Sequence, residues 1–170
     1  QLAQEVFWPS YQEFDQEGAR FDGKQVHLPQ AMHDIWRHCK EGGWFAPNVS
    51  FDEGGQQFPL SIFAVSSFLF SCGNTAAAMY VNGTWGAAML IHKFGSPELQ
   101  EKYMRKLYAG EWGGTMALTE PDVGTSLGDI KTTAVKAADG DYYQITGTKR
   151  FISSGDHDLS DNIVHPVLAR

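Results

Sequence analysis

An α+β fold is what this sequence predicts: an N-terminal all-helical domain followed by the first half of an antiparallel β-domain. Up to Gly110, apolar residues recur at the three-to-four spacing that builds one face of a helix. From Trp112 onward the period drops to two, the spacing of strands with one covered face. Asp139-Gly140 then stands between two alternating runs as a compact hairpin turn. The change of period puts the boundary near Gly110 to Gly114, giving residues 1–113 as the helical domain and 114–170 as a partial β-domain.

The helices follow in order. Val6, Phe7, Tyr11 and Phe14 recur at helical spacing in the first 20 residues, with Pro9 placed to start or kink a helix. A break runs from Gly23 to His27. Pro29 suits the first helical residue, and Ala31, Met32, Ile35, Trp36 and Cys39 mark one broad apolar face that ends at Gly42-Gly43. After a loop from Trp44 to Gln57, Pro59 starts a helix whose apolar residues from Leu60 to Phe70 surround its circumference, the pattern of burial on most sides. Asn74-Thr75 begins another, running through Met79, Tyr80, Trp85, Met89, Leu90 and Phe94. Its small residues, Ala76 to Ala78, Gly83 and Gly86 to Ala88, permit close helix approach or leave room for a ligand tail. Ser96-Pro97-Glu98 is a helix start of cap hydroxyl, first-turn proline and acid near the positive helix end. Leu99, Tyr103, Met104 and Leu107 form its inner stripe, Lys102, Arg105 and Lys106 its solvated face, and Gly110 its end.

The expected strands are a short one at Leu118, then 130–136, 142–146, 149–153 and 163–168, with Pro166 confining the last to an edge or a bulge.

Composition sets the outer limits. The 170 residues hold one domain, or one and part of another, and 42% apolar content with 13% aromatic is ample for a core. A formal charge of −7 argues against a nucleic-acid surface and against anionic membranes. Cys39 and Cys72 lack metal or redox spacing and read as buried free thiols of a reducing, cytoplasmic setting. The apolar run from Phe58 to Cys72 is too short to span a bilayer, so no membrane span is expected. His27, His33 and His38 lack the spacing of helical ligand pairs and read as solvated or capping residues. Asp156, His157, Asp158 and Asp161 lack a calcium-loop pattern and read as a polar surface loop, so no metal is expected.

The stretch from Thr115 to Gly155 carries the chemistry. Glu120-Pro121 and Val123-Gly124 turn the chain after a short apolar strand, displaying backbone amides from Leu118 to Glu120 and the hydroxyls of Thr119, Thr125 and Ser126. Phe151, Ile152, Ser153 and Ser154 set an aromatic and an aliphatic beside paired hydroxyls. An apolar wall with directed polar groups along one edge is the frame a flat heteroaromatic ring needs. Singly, these residues fit a tight turn and an ordinary core aromatic; their order is what makes them specific.

That order, ALTEP followed by Gly124-Thr125 and then ITGTK, Phe151-Ile152-Ser153 and Ser154-Gly155, resembles the flavin-binding middle domain of the acyl-CoA dehydrogenase family. The resemblance extends upstream through HKFGSPELQEKYMRKLYAGEWGGTM and downstream through SSGDHDLSDNIVH, and it is strongest to a bacterial subgroup with long N-terminal extensions. It implies FAD as cofactor, with a hydride passing from an acyl-CoA β-carbon to flavin N5 while a carboxylate removes the α-proton, giving a 2-enoyl-CoA. It implies Ser153 at the hydroxyl facing N5, Phe151 and Met116 against the ring, Leu118 and Thr119 at the pyrimidine end, and Thr125 near cofactor phosphate or pantetheine. Ser126 stands where the family usually has aspartate, and Phe151 where it often has tryptophan.

The resemblance also implies an acyl-CoA substrate, an electron-transfer flavoprotein as electron acceptor and a homo-oligomer. It uses Glu120 structurally and takes its base from a C-terminal helical domain outside these residues. The chain is therefore expected to be a fragment with no catalytic residue of its own, inactive in isolation. The alternative reading is a non-catalytic, family-shaped binding module.

Overall fold

The computed structural model describes residues 1–170. Helix α1 (Trp8–Glu17) follows directly on a π-turn (Ala3–Phe7), so Pro9 sits at the start of α1 within one continuous helical run. A two-residue antiparallel ladder, β1 (Arg20–Phe21) with β2 (Val26–His27), closes the segment expected to be a break. Helix α2 (Gln30–Glu41) begins one residue after Pro29 and buries Met32, Ile35, Trp36 and Cys39, the expected face.

The central element is α3 (Leu60–Phe94), 35 residues interrupted at Asn74, whose φ of −158° and ψ of 99° are not helical. Asn74 Oδ1 accepts the Ala77 amide at 3.0 Å, capping the second half as the Asn-Thr pair suggests. Asn74 Nδ2 donates to Ser10 Oγ at 2.9 Å, and Ser10 donates to the Phe7 carbonyl, which ties the break to the first helix. By length and composition alone α3 could cross a membrane, with a mean hydropathy of 1.4. Its second half instead turns Ala77, Ala78, Val81 and Ala88 into the core.

The first half of α3 corrects the expectation of burial on most sides: Leu60, Val65 and Phe68 are 65%, 56% and 66% exposed. Within this chain it is held along one line, through Phe70 stacked on Phe7 at 4.6 Å and Phe63 against Trp85 at 4.5 Å, and nothing packs on its outer side. Tyr11 is likewise exposed.

Ser96 caps α4 (Pro97–Leu99) through Oγ, as its Ser-Pro-Glu start predicts, and the helix runs through a π-turn (Gln100–Met104) into α5 (Arg105–Tyr108). Gly110, at φ +62°, ends it; a Cβ there would lie 2.5 Å from the Phe45 ring. Met104, Leu107 and Tyr108 close a second core cluster with Ala88.

The β portion has little sheet. β3 (Gly113–Gly114) pairs in parallel with β6 (Ile163–Val164), and the pairing continues through Thr115, Ala117 and Leu168. β4 (Thr133–Lys136) and β5 (Tyr143–Thr146) form an antiparallel hairpin around Asp139-Gly140, as expected. The small-residue stripe of α3 serves close approach: Gly83 lies against the Gly114 carbonyl, and a Cβ on Gly114 would meet that of Ala87 at 2.6 Å. Gly86, on the same helix, faces open space.

Candidate functional site

Residues 113–119 leave the helical core as an extended segment with two unlike edges. The amides of Gly113, Thr115 and Ala117 donate to the carbonyls of Asn162, Val164 and Pro166. Alternate amides face the other way. That of Gly114 donates to Thr84 Oγ1 at 3.1 Å, anchoring the segment on α3. Those of Met116 and Leu118, and the next amide along, that of Thr119, donate to no group in the chain, whereas that of Glu120 closes the turn onto the Val123 carbonyl at 2.8 Å. The expected display of amides from Leu118 to Glu120 is thus narrowed to Leu118 and Thr119, and joined by Met116.

The second segment departs from expectation. Residues 149–153, expected as a strand, form a turn, with Phe151 at φ +57°, Ser154 at φ +58° and the Gly155 amide on the Ile152 carbonyl at 3.2 Å. Alternation of apolar and polar residues suggested extension, but Phe151 finds no pocket to fill and is 78% exposed beneath the Arg150 guanidinium. Positive φ at a bulky residue is costly, of order 1–3 kcal/mol, and such strain gathers at binding sites. Ser153 is exposed, and the Ser154 hydroxyl is buried without a partner.

Two bonds bring the segments together. The Arg150 amide donates to the Thr119 carbonyl at 2.8 Å, and the Lys149 ammonium donates to the Leu118 carbonyl at 2.9 Å. Leu118 and Thr119 are therefore adjacent to the turn that carries Phe151 and Ser153. Met116 is exposed at the same edge, and Thr125 lies exposed beyond the Glu120–Val123 turn. Glu120 itself is 5% exposed and accepts from the Lys149 ammonium, the Lys131 amide and the Thr132 amide. Hydrogen bonds from Thr132, the Lys131 amide and Lys149 hold its carboxyl down at about 2. A fully bonded, ionised carboxylate is a structural anchor.

A second polar cluster sits where the 156–161 loop meets the helices. Asp158 accepts from the Leu28 amide and lies 3.1 Å from His27 Nδ1 and 3.2 Å from His33 Nε2. His27 also meets Asp22 at 2.8 Å, and these carboxylates, Asp22 foremost, push its pKa above the ordinary histidine value. His157 is buried against the Trp36 and Tyr80 rings, and burial lowers its pKa. The loop expected to be a polar surface feature is thus a joint, and His27 and His33 are its acceptors' partners rather than freely solvated groups. Sequence gave no view of this pairing, because Asp158 and His27 stand 131 positions apart.

Among known proteins, the chain matches the model of the acyl-CoA dehydrogenase N-terminal domain over residues 1–111 and of the acyl-CoA dehydrogenase middle domain over 115–167. It is 35% identical over 172 aligned residues to a butyryl-CoA dehydrogenase of Syntrophomonas wolfei, covering 99% of this chain and 28% of that protein. The chain thus spans just over a quarter of the length of that curated relative. Glutaryl-CoA dehydrogenase of Mycobacterium smegmatis shares the fold, with a TM-score of 0.80 at 22% identity over 99% of this chain and 40% of that one. An acyl-CoA dehydrogenase of Bacillus anthracis, solved as a complex with FAD, aligns at a TM-score of 0.75 and 27% identity over 99% of this chain and 26% of that one. With both domain models matched in order across nearly its whole length, this chain belongs to the acyl-CoA dehydrogenase family.

Proposed function

We propose that the chain supplies the flavin-facing half of an FAD-dependent acyl-CoA dehydrogenase. Its helical domain would span 1–113 and the opening part of its middle domain 114–170. The observation that carries this reading is the unpaired amide edge of Met116, Leu118 and Thr119 beside the exposed, strained turn of Phe151 and Ser153. These residues suit an isoalloxazine ring. Phe151 offers an apolar face, Leu118 and Thr119 offer donors for a carbonyl-rich edge, and the exposed Ser153 hydroxyl supplies a short-range polar contact. Thr125, beyond the turn, suits the phosphate-bearing side.

Bound FAD would supply the acceptor of the β-hydride in the oxidation of an acyl-CoA to its 2-enoyl-CoA. The chain's part is to orient and to stabilise. With FAD bound, free amide donors such as those of Leu118 and Thr119 would favour the charge that builds on the ring during transfer, at no cost of reorganisation. Gly86, facing open space on α3, leaves room for an acyl tail. The α-proton base belongs to the rest of a whole dehydrogenase, and electron-transfer flavoprotein is the acceptor that fits the family.

The test is a visible absorbance spectrum after incubation with FAD and removal of free cofactor. Retained flavin bands, weakened by Ser153→Ala, are the expected result. A colourless protein at every FAD concentration tried would remove the cofactor assignment from this chain.

A further inference from the structure

We propose that Lys149 and Glu120 are positioning residues that aim the ring-binding edge, Lys149 by holding the Leu118 carbonyl and Glu120 by holding Lys149. The identity of the ring rests on the flavin reading above; the aiming rests on the ion pair alone.

Lys149 Nζ and Glu120 Oε1 lie 2.9 Å apart with side chains 12% and 5% exposed. Desolvation offsets most of the attraction in such a pair, so burial of two charges here calls for a reason other than stability. Their remaining bonds supply one. Glu120 Oε2 accepts the Lys131 amide at 2.7 Å, and Oε1 accepts that of Thr132 at 3.0 Å. Lys149 spends a second hydrogen on the Leu118 carbonyl at 2.9 Å. One carboxylate and one ammonium thus lock residues 118–120, 131–132 and 149–150 together.

Peptide planarity turns this lock into an aim. Within one trans peptide, the carbonyl and the following N–H point in opposite directions. Lys149 on the Leu118 carbonyl therefore holds the Thr119 N–H pointing away from the Lys149 ammonium. The Leu168 amide does the same for the preceding peptide: at 3.1 Å from the Ala117 carbonyl, it turns out the Leu118 N–H. The free Leu118 and Thr119 donors are each set by a bond on the carbonyl behind them. Only the Thr119 donor depends on a side chain, and that side chain lies two residues before Phe151, so one lysine registers donors and ring wall together.

The experiment compares the wild-type chain with Lys149→Met, which keeps the apolar stem, and Lys149→Arg, which keeps the charge. Hydrogen exchange at the Arg150 amide is read without FAD, and band shape and affinity of bound flavin with it. Lys149→Met is expected to speed Arg150 exchange and weaken FAD binding, each by about tenfold, and to shift the bound-flavin bands while helical circular dichroism stays intact. Lys149→Arg is expected to restore most of the band shape. If Lys149→Met fails to fold, the double variant Glu120→Gln/Lys149→Met removes both interior charges and carries the same readouts. Arg150 exchange and flavin bands both unchanged in the variant would overturn the aiming role and leave the flavin reading intact. A wild-type chain that binds no FAD would overturn the flavin reading, and Arg150 exchange alone would then decide the clamp.

Discussion

The helical and β portions of this chain are held by different forces. The helical portion buries large apolar side chains: Phe7, Met32, Ile35, Phe45 and Leu107 are all fully covered. Beyond Gly114 the buried hydrophobic residues are Ala117, Val123 and Ile130, while Val135, Tyr143, Ile145 and Phe151 are 63%, 59%, 53% and 78% exposed. Order in the β portion comes instead from polar contacts of defined direction: the Glu120 anchor, Thr115 on His165 at 2.8 Å, and Asp158 at the joint with the helices. Apolar burial is non-directional and tolerant, whereas hydrogen bonds fix orientation. A region proposed to present donors to a ligand would gain more from the second.

Truncating apolar side chains should separate the two portions by the widest margin. Phe7→Ala removes a fully buried ring stacked on Phe70 and is expected to cost about 3–5 kcal/mol in urea unfolding. Ile145→Ala, on an exposed strand, is expected to cost under about 1 kcal/mol. Equal losses would erase the distinction between the two portions.

Acid should act on the β portion first. With its carboxyl held at about 2 against an ordinary 4.5, Glu120 contributes stability that is present above pH 4.5 and lost as pH falls toward 2. Arg150 amide protection, corrected for intrinsic exchange, should fall over that window in the wild type and show no such transition in Glu120→Gln.

The helical portion has one polar contact of comparable importance. Asn74→Ala removes the cap on Ala77 and the bond to Ser10, and is expected to lower stability by about 1–2 kcal/mol by denaturant titration.

The smallest effect belongs to the joint, where the groups are partly wet and screened. The His27 pKa is raised, so its contribution is complete below pH 6.5 and lost as pH rises through the folded value. Leu28, whose amide donates to Asp158, should lose protection on that rise, and His27→Gln should abolish the dependence. His157, with its pKa lowered by burial, pulls the opposite way, losing its contribution as pH falls below 6.5, so the two histidines partly cancel unless one is replaced.

Much of this was legible from local pattern. The α2 face, the Ser96 and Asn74 caps and the Asp139-Gly140 hairpin all follow from residues within a turn of one another. What was illegible depends on what covers an element. The first half of α3 reads as a buried helix because its apolar residues encircle it, yet no segment of this chain lies over Leu60, Val65 and Phe68. Phe151 read as a strand residue because a period of two does not reveal positive φ. The Lys149 role was missed for want of its partner, though a signal existed: a lone Glu120 in an apolar stretch needs a cation, and the one lysine leading into the Phe151 segment supplies it.

The 116–119 edge and the 149–154 turn are proposed to form one ring-binding frame. Residue-resolved hydrogen exchange of the chain with and without FAD tests it most directly. Slowed exchange is expected at Leu118, Thr119 and residues 151–154, with the β4–β5 hairpin unchanged. No slowing at those amides, or slowing confined to the helical portion, would contradict it.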